Sequence, residues 1–202
     1  MMDAIVKRWF DCCAASAGLL VLMPVLVVAA VLINREDGGP VFYRGVRIGL
    51  NGVPFRMFKF RTMVMNADKI GAASTADDDF RITRVGRKLR TYKLDELPQL
   101  INVVQGRMSL VGPRPQVPWA VGNYSENERR LLLLRPGITD PASLRFSNEG
   151  ALLKGSDDPD RDYMDKIHPV KMVLSLAYLE HRSVFVDLEI IVKTIRKVLT
   201  GN

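Results

Sequence analysis

An unbroken run of uncharged, mostly apolar residues occupies positions 12–33, and no other stretch of the chain repeats that pattern. About 20 such residues are what a helix needs to match the hydrocarbon core of a bilayer. Pro24 stands near the middle of the run. Proline has no N–H and crowds the carbonyl four residues earlier, that of Leu20, so a kink is predicted there. A cleavable leader is disfavoured, because the run exceeds the ~7–15 apolar residues of such a segment and lacks a small-residue cleavage site. A kinked spanning helix and a re-entrant pair of half-helices remain. Lys7 and Arg8 precede the run, and Arg35, Arg44 and Arg47 follow it. Cationic flanks mark the cytoplasmic side of a membrane segment, so cations at both ends favour the re-entrant form.

Downstream, the patterning becomes that of a folded domain. Residues 41–43 and 55–60 read as strands joined around Asn51-Gly52, a hairpin in which Lys59 and Arg61 share one face if the chain stays extended. Residues 64–79 read as a mobile loop whose Asp77-Asp78-Asp79 run is solvated. Residues 81–90 read as a basic helix facing phosphate or membrane. Leu97, Leu100, Ile101, Val103 and Val104 then form an apolar helical face, with Pro98 in its first turn and Gly106 as its stop. Asp95 and Glu96 stand at the start of that helix. Its positive end favours an ionised carboxylate or a bound phosphate, but acids at helix starts are common and spacing alone favours a plain N-cap for Asp95. In Gly112-Pro113-Arg114-Pro115 the prolines stiffen the backbone around one guanidinium, which suits phosphate recognition or a plain turn. Residues 170–179 read as a helix, and Phe185, Leu188, Ile191, Val192, Ile195, Val198 and Leu199 form one stripe of another, for core or interfacial packing. The fold class is therefore α+β, mainly helical: a membrane hairpin over residues 1–34, and a catalytic-size domain with a short β-hairpin and interfacial amphipathic helices over residues 35–202.

Charge and composition narrow the chemistry. Twenty-nine Lys and Arg against 22 Asp and Glu leave a formal charge of +7, which biases the surface toward anionic partners. Nucleic acid is disfavoured, since the basic run lacks interleaved aromatic residues and carries no known nucleic-acid signature. Cys12 and Cys13 are adjacent and suit neither a disulfide framework nor a chelating pair, which points to a reducing setting. Only His168 and His181 are present, so a histidine metal cluster or a Ser-His-Asp triad is hard to build and the chemistry falls to carboxylates.

Several motifs follow one another in fixed order: Lys7-Arg8 with Asp11, the proline-broken apolar run, Lys59-Phe60-Arg61-Thr62-Met63, Arg81-Ile82-Thr83 with Gly86 and Leu89-Arg90, Leu94-Asp95-Glu96-Leu97-Pro98-Gln99, Gly112-Pro113-Arg114-Pro115, and Arg135-Pro136-Gly137-Ile138-Thr139. Together they resemble the bacterial sugar transferases, the monotopic phosphoglycosyl transferases, over essentially the whole chain and at the length of the family's minimal catalytic unit. The resemblance implies a membrane-bound enzyme on the cytoplasmic face of the bacterial inner membrane. It would move a phospho-sugar from a UDP-sugar donor to a polyprenol phosphate acceptor, such as undecaprenyl phosphate, and release UMP. It further implies Asp95 as nucleophile through a covalent phosphoryl-aspartate, Glu96 beside it, and Mg2+ as cofactor at this pair. Lys59, Arg90, Arg114 and Arg135 would line the substrate site, while Lys7, Arg8 and Asp11 would hold the re-entrant helix to the domain. Two departures stand out: Met23-Pro24 replaces the family's Ser-Pro, and Arg145 stands two places earlier than the Arg that follows Ile-Thr in many members. Arg145 is retained as a substrate-binding candidate. The competing reading is a non-catalytic peripheral protein whose basic face holds anionic membrane lipid.

Overall fold

The uncharged run forms one helix, α1 (Met2–Asp37), with Pro24 inside it rather than between two separate elements. A proline removes a single donor, and the hydrogen-bond ladder can resume within a turn. The computed structural model describes residues 2–71 and 74–200. One side of α1 is bare: Leu20, Val21, Met23, Val27 and Val28 are between 50% and 77% exposed, a surface suited to hydrocarbon rather than water.

The other side packs on the domain at both ends of the helix. Near its start, Ala15 is buried with Phe55, Met57, Val103 and Met108; near its end, Ala29 and Ile33 are buried with Phe60 and Leu89. Polar ties reinforce each contact. Arg8 donates to the carbonyls of Val103 (2.6 Å), Val104 (3.2 Å) and Met108 (3.3 Å), so it satisfies the frayed end of another helix as well as anchoring its own. Asp11, almost wholly buried, accepts from Lys7 (2.9 Å) and from the Ser109 hydroxyl (2.7 Å). At the far end, the Arg61 guanidinium grips both oxygens of Asp37, and Glu36 accepts from the backbone N–H of Val85.

Beyond α1 the chain forms the expected hairpin, β1 (Phe42–Ile48) and β2 (Pro54–Phe60), antiparallel with Tyr43 opposite Lys59 and Arg47 opposite Phe55. Asn51, with φ of 55°, makes the turn. β2 ends at Phe60, so Arg61 leaves the strand's alternation and goes to Asp37 rather than sharing a site with Lys59. The segment 64–80 is anchored instead of free: Ser74 N–H donates to Asp160, Asp77 N–H donates to the Gly150 carbonyl, and Ala76 is buried against Leu153 and Tyr163. Asp79 is taken by Arg81.

Helix α2 (Arg84–Thr91) is capped by the Thr83 hydroxyl, which accepts from Gly86 N–H at 3.0 Å. Lys93, at φ of 54°, then turns the chain into a 3-10 turn over Leu94–Glu96, ahead of α3 (Gln99–Val104). Two three-residue strands, β3 (Ser109–Val111) and β4 (Gly137–Thr139), pair in parallel, and this was not foreseen. Their pairing brings the Gly112-Pro113-Arg114-Pro115 and Arg135-Pro136-Gly137 segments together so closely that a Cβ on Gly137 would lie 2.1 Å from Gly112 N. The rest is helical: α4 (Pro118–Gly122), α5 (Glu126–Arg129), α6 (Pro141–Arg145), α7 (Glu149–Leu152), α8 (Pro159–Asp162), α9 (His168–His181) and α10 (Val184–Thr200). Val121, Tyr124, Leu131, Met172 and Leu179 form a second core between α4 and α9. Only Asp187 and Ile190 of α10 are buried and Ile191 packs partly beside them, whereas Phe185, Val192, Ile195 and Leu199 are more than half exposed, so most of its apolar stripe is uncovered.

Gly86 supplies a test of this packing. A methyl group there would sit 2.1 Å from the Thr62 carbonyl oxygen, against backbone that cannot rotate away. Gly86→Ala should destabilise the protein by about 1–3 kcal/mol, read as a lowered Tm in detergent. An unchanged melt would show that α2 is not seated against Thr62.

Candidate active site

Asp95 and Glu96 occupy the 3-10 turn that Lys93 sets up, and Leu94 packs that turn against α1 and α2. Neither this turn nor α3 has a side-chain cap, so the capping reading of Asp95 fails. The Asp95 carboxylate is almost wholly buried, yet no hydrogen bond reaches it among the described residues; its nearest cation is Lys59 Nζ, 3.9 Å from Oδ2. Glu96 is bound tightly instead. Lys59 donates to Oε1 at 2.8 Å, and the Arg114 guanidinium spans both oxygens, with Nη1 3.1 Å from Oε2.

Three elements meet in this arrangement. Lys59 comes from β2, whose backbone is fixed to α3 because the Asn102 amide accepts from Phe58 N–H (2.8 Å) and donates to the Arg56 carbonyl (3.0 Å). Arg114 comes from the proline-stiffened loop that β3 and β4 hold in place. The dyad comes from the turn before α3.

The two carboxyl groups are driven in opposite directions. Burial pushes the Asp95 pKa up; Lys59 counters this, the Glu96 charge adds to it, and Arg90 and Lys93 oppose it from the end of α2. Burial also acts upward on Glu96, but Arg114 and Lys59 outweigh it and hold Glu96 well below the usual carboxylate range. Glu96 raises the Arg114 pKa in turn. One acid is thus a fixed anion shared by two cations, and its neighbour is a poorly solvated carboxylate with its oxygens uncommitted.

Among the candidates from the sequence, Lys59, Asp95, Glu96 and Arg114 are in direct contact or within ion-pair distance, and Arg90 lies within electrostatic reach. Arg135 is exposed and donates to the Gly106 carbonyl at 3.1 Å. Arg145 is exposed at the end of α6, and no hydrogen bond or ion pair ties it to the dyad among the described residues. Lys7, Arg8 and Asp11 are anchors of α1, as described above. Two groups near the dyad are not among the site candidates read from the sequence. Arg47 of β1 lies in the field of Arg114 and Glu96. Lys171 is buried, paired with Glu149 and close enough to Arg114 to be affected by it.

Mg2+ is tested by the donor set. No cluster of three or more His, Cys, Asp or Glu side chains able to hold a metal occurs among the described residues. Mg2+ commonly takes only one or two protein carboxylates and completes its shell with phosphate oxygens and water; the uncommitted Asp95 suits that mode, while both Glu96 oxygens are engaged by Lys59 and Arg114 and would have to be released to join it.

Comparison with known proteins gives the context for this geometry. The family model described as "Bacterial sugar transferase" matches residues 2–201. The chain is 36% identical over 197 residues to the uncharacterized sugar transferase EpsL of Bacillus subtilis, covering 98% of this chain and 89% of that one. It is 34% identical over 201 residues to the UDP-N-acetylgalactosamine-undecaprenyl-phosphate N-acetylgalactosaminephosphotransferase of Aeromonas hydrophila, covering 98% of this chain and 44% of that longer protein. It is 36% identical over 197 residues to the UDP-glucose:undecaprenyl-phosphate glucose-1-phosphate transferase of Caulobacter vibrioides, covering 96% and 70%.

The opposed shifts give a signed prediction. Because the folded pKa of Asp95 lies above its ordinary value, ionising it costs stability as pH rises through that folded value. Glu96, held low, contributes stability present above its unfolded pKa and lost as pH falls through its folded one. Lys59→Met should raise the Asp95 titration, and Glu96→Gln should lower it, because it removes a like charge and releases Lys59. Isotope-edited infrared of the aspartate carboxyl reads both. Shifts of the same sign in the two variants would contradict this electrostatic layout.

Proposed function

The chain belongs to the bacterial sugar transferases, and on that premise we propose that it moves a phospho-sugar from a UDP-sugar to undecaprenyl phosphate through a covalent phosphoryl-Asp95, releasing UMP. The observation that carries this reading is the unequal pair itself, a buried carboxylate with free oxygens beside one immobilised by Lys59 and Arg114. An Asp95 oxygen attacks the phosphorus next to the sugar. The P–O bond to the nucleotide phosphate breaks, and UMP leaves with the electron pair. The lipid phosphate then attacks the same phosphorus, Asp95 departs as carboxylate, and the product is a polyprenyl diphospho-sugar. Splitting the transfer in two means that the water-soluble donor and the lipid acceptor need not be bound together.

Attack of an anion on a diphosphate is opposed by charge, and Lys59, Arg114 and Arg90 offset that repulsion from fixed positions. Glu96 keeps Lys59 and Arg114 oriented. Poor solvation leaves Asp95 more nucleophilic than a carboxylate in water. Mg2+, which Asp95 and Glu96 would hold together with donor phosphate oxygens, supplies further charge neutralisation.

Membrane topology follows the same line. Both ends of α1 are tied to one domain, by Arg8 and Asp11 at one end and Asp37 and Glu36 at the other, and its bare apolar residues lie between. A straight span would carry one end to the opposite face, and the shared domain contacts therefore support a helix that enters and leaves the bilayer on one side. The cationic flanks support the cytoplasm as that side. The reaction would place the first, membrane-bound sugar of a bacterial glycoconjugate.

Asp95→Asn tests the assignment. UMP release should fall by at least ~10³-fold while membrane association is kept, and Tm should hold or rise because a costly buried charge is removed. UMP release at the wild-type rate would remove Asp95 as nucleophile. A cysteine placed ahead of Lys7 should resist a membrane-impermeant label applied from the periplasm; labelling there would contradict the re-entrant topology.

A further inference from the structure

One face of β1 carries Tyr43, Gly45 and Arg47, and the hairpin register sets Tyr43 opposite Lys59, which binds the dyad. Gly45 lacks a side chain, and its neighbours fill the space. A Cβ there would lie 2.7 Å from the Tyr43 ring, 2.8 Å from its hydroxyl oxygen and 3.0 Å from Arg47 Nη1, so both side chains fold over this one position. The Arg47 guanidinium is thereby drawn back along the strand toward the dyad, to a point about 7 Å, two strand residues, from the Lys59 row. At the end of β1, Ile48 N–H donates to the Gln116 carbonyl at 2.9 Å, which binds the strand to the segment carrying Arg114.

Arg47 has no carboxylate within ion-pair distance among the described residues; its hydrogen bond goes to the Val46 carbonyl at 2.9 Å. Burial and the nearby Arg114 charge both disfavour its protonated form, while Tyr43 and Glu96 favour it. A half-buried guanidinium beside a second guanidinium that is already committed to Glu96 is a poor arrangement for stability alone. It becomes favourable when an anion sits between them. Lys59, Arg114, Arg90 and Lys93 act on the dyad, with Arg47 in the same field; Glu149 and Asp140 also reach Arg114, yet Glu149 is paired with Lys171 and no carboxylate among the described residues pairs with Arg47, which leaves this guanidinium to take up a phosphate.

We infer that Arg47, positioned against Tyr43 over Gly45, binds the phosphate that leaves with the nucleotide. This rests on the donor chemistry proposed above. Asp95 sits under the field of Lys59, Arg90 and Lys93, where the attacked phosphorus must come. Arg47 shares the field of Glu96 and Arg114 on the strand side, where the second phosphate of an in-line donor extends. The same chemistry would suit the lipid phosphate, and the two sources part in the test.

The test uses the full chain in nanodiscs, with UMP as the nucleotide probe and a short-chain polyprenol phosphate as the lipid probe. Arg47→Met should weaken UMP binding, measured by calorimetry and as product inhibition, about tenfold or more, the loss of one charge-assisted contact. Arg47→Lys should recover part of it. Lipid-phosphate affinity should not change in either variant. Gly45→Ala moves the two side chains without removing the charge and should weaken UMP in the same direction with an unaltered melt, which covers the case in which Arg47→Met fails to fold. UMP binding unchanged in Arg47→Lys and Gly45→Ala, or a loss confined to the lipid probe, overturns the inference. Wild-type protein that neither binds UMP nor releases it from UDP-sugars refutes the donor reading instead.

Discussion

The elements around the dyad are held by the seating of one apolar helix on one domain at two points. Arg8 closes the end of α3, Asp11 holds Ser109 of β3, and Asp37 holds Arg61 just past β2. These are the elements that carry or support the dyad, the lysine and the arginine loop. Removing α1 would therefore leave Ala15's and Ala29's partners exposed and two helix ends open, besides detaching the chain from lipid. The membrane anchor and the scaffold of the site are the same piece of structure.

The dyad shows how proximity can separate two identical functional groups. Asp95 is buried and its neighbour Glu96 half-buried, yet Lys59 and Arg114 converge on Glu96, so one stays ionised well below its ordinary range while the other is pushed upward. A backbone device enables this. Lys93 in the left-handed region ends α2 abruptly and lays the turn so that Arg90 and Asp95 come within electrostatic reach. A non-glycine residue pays about 1 kcal/mol for that conformation, a cost the surrounding packing must offset.

How much was legible in the sequence follows from how local each signal is. The apolar run and the Asn51-Gly52 turn declare α1 and the hairpin, because each depends on residues adjacent in the chain. β3 and β4 are three residues each, with Ser109 pairing to Gly137, and nothing in either tripeptide announces the other. Local pattern favours a plain cap for Asp95, and only the family resemblance implies a reactive group there; the structure removes the cap by showing where the carboxylate lies. Lys59 and Glu96, 37 positions apart, meet only because Asn102 fixes β2 to α3. Arg47 read as a mere flanking cation, since its location depends on hairpin register and on the absence of a side chain at Gly45.

On the proposed chemistry, the clasp on Glu96 would also act as a filter by charge. Lys59 and Arg114 are already satisfied by a carboxylate, so they can turn to an incoming group only by exchanging one anion for another. A phosphate repays that exchange with comparable contacts, and a neutral molecule of the same outline does not. Under that proposal, selection for the charged end of the substrate would precede any reading of the sugar, set by a residue that need never touch the bond being broken.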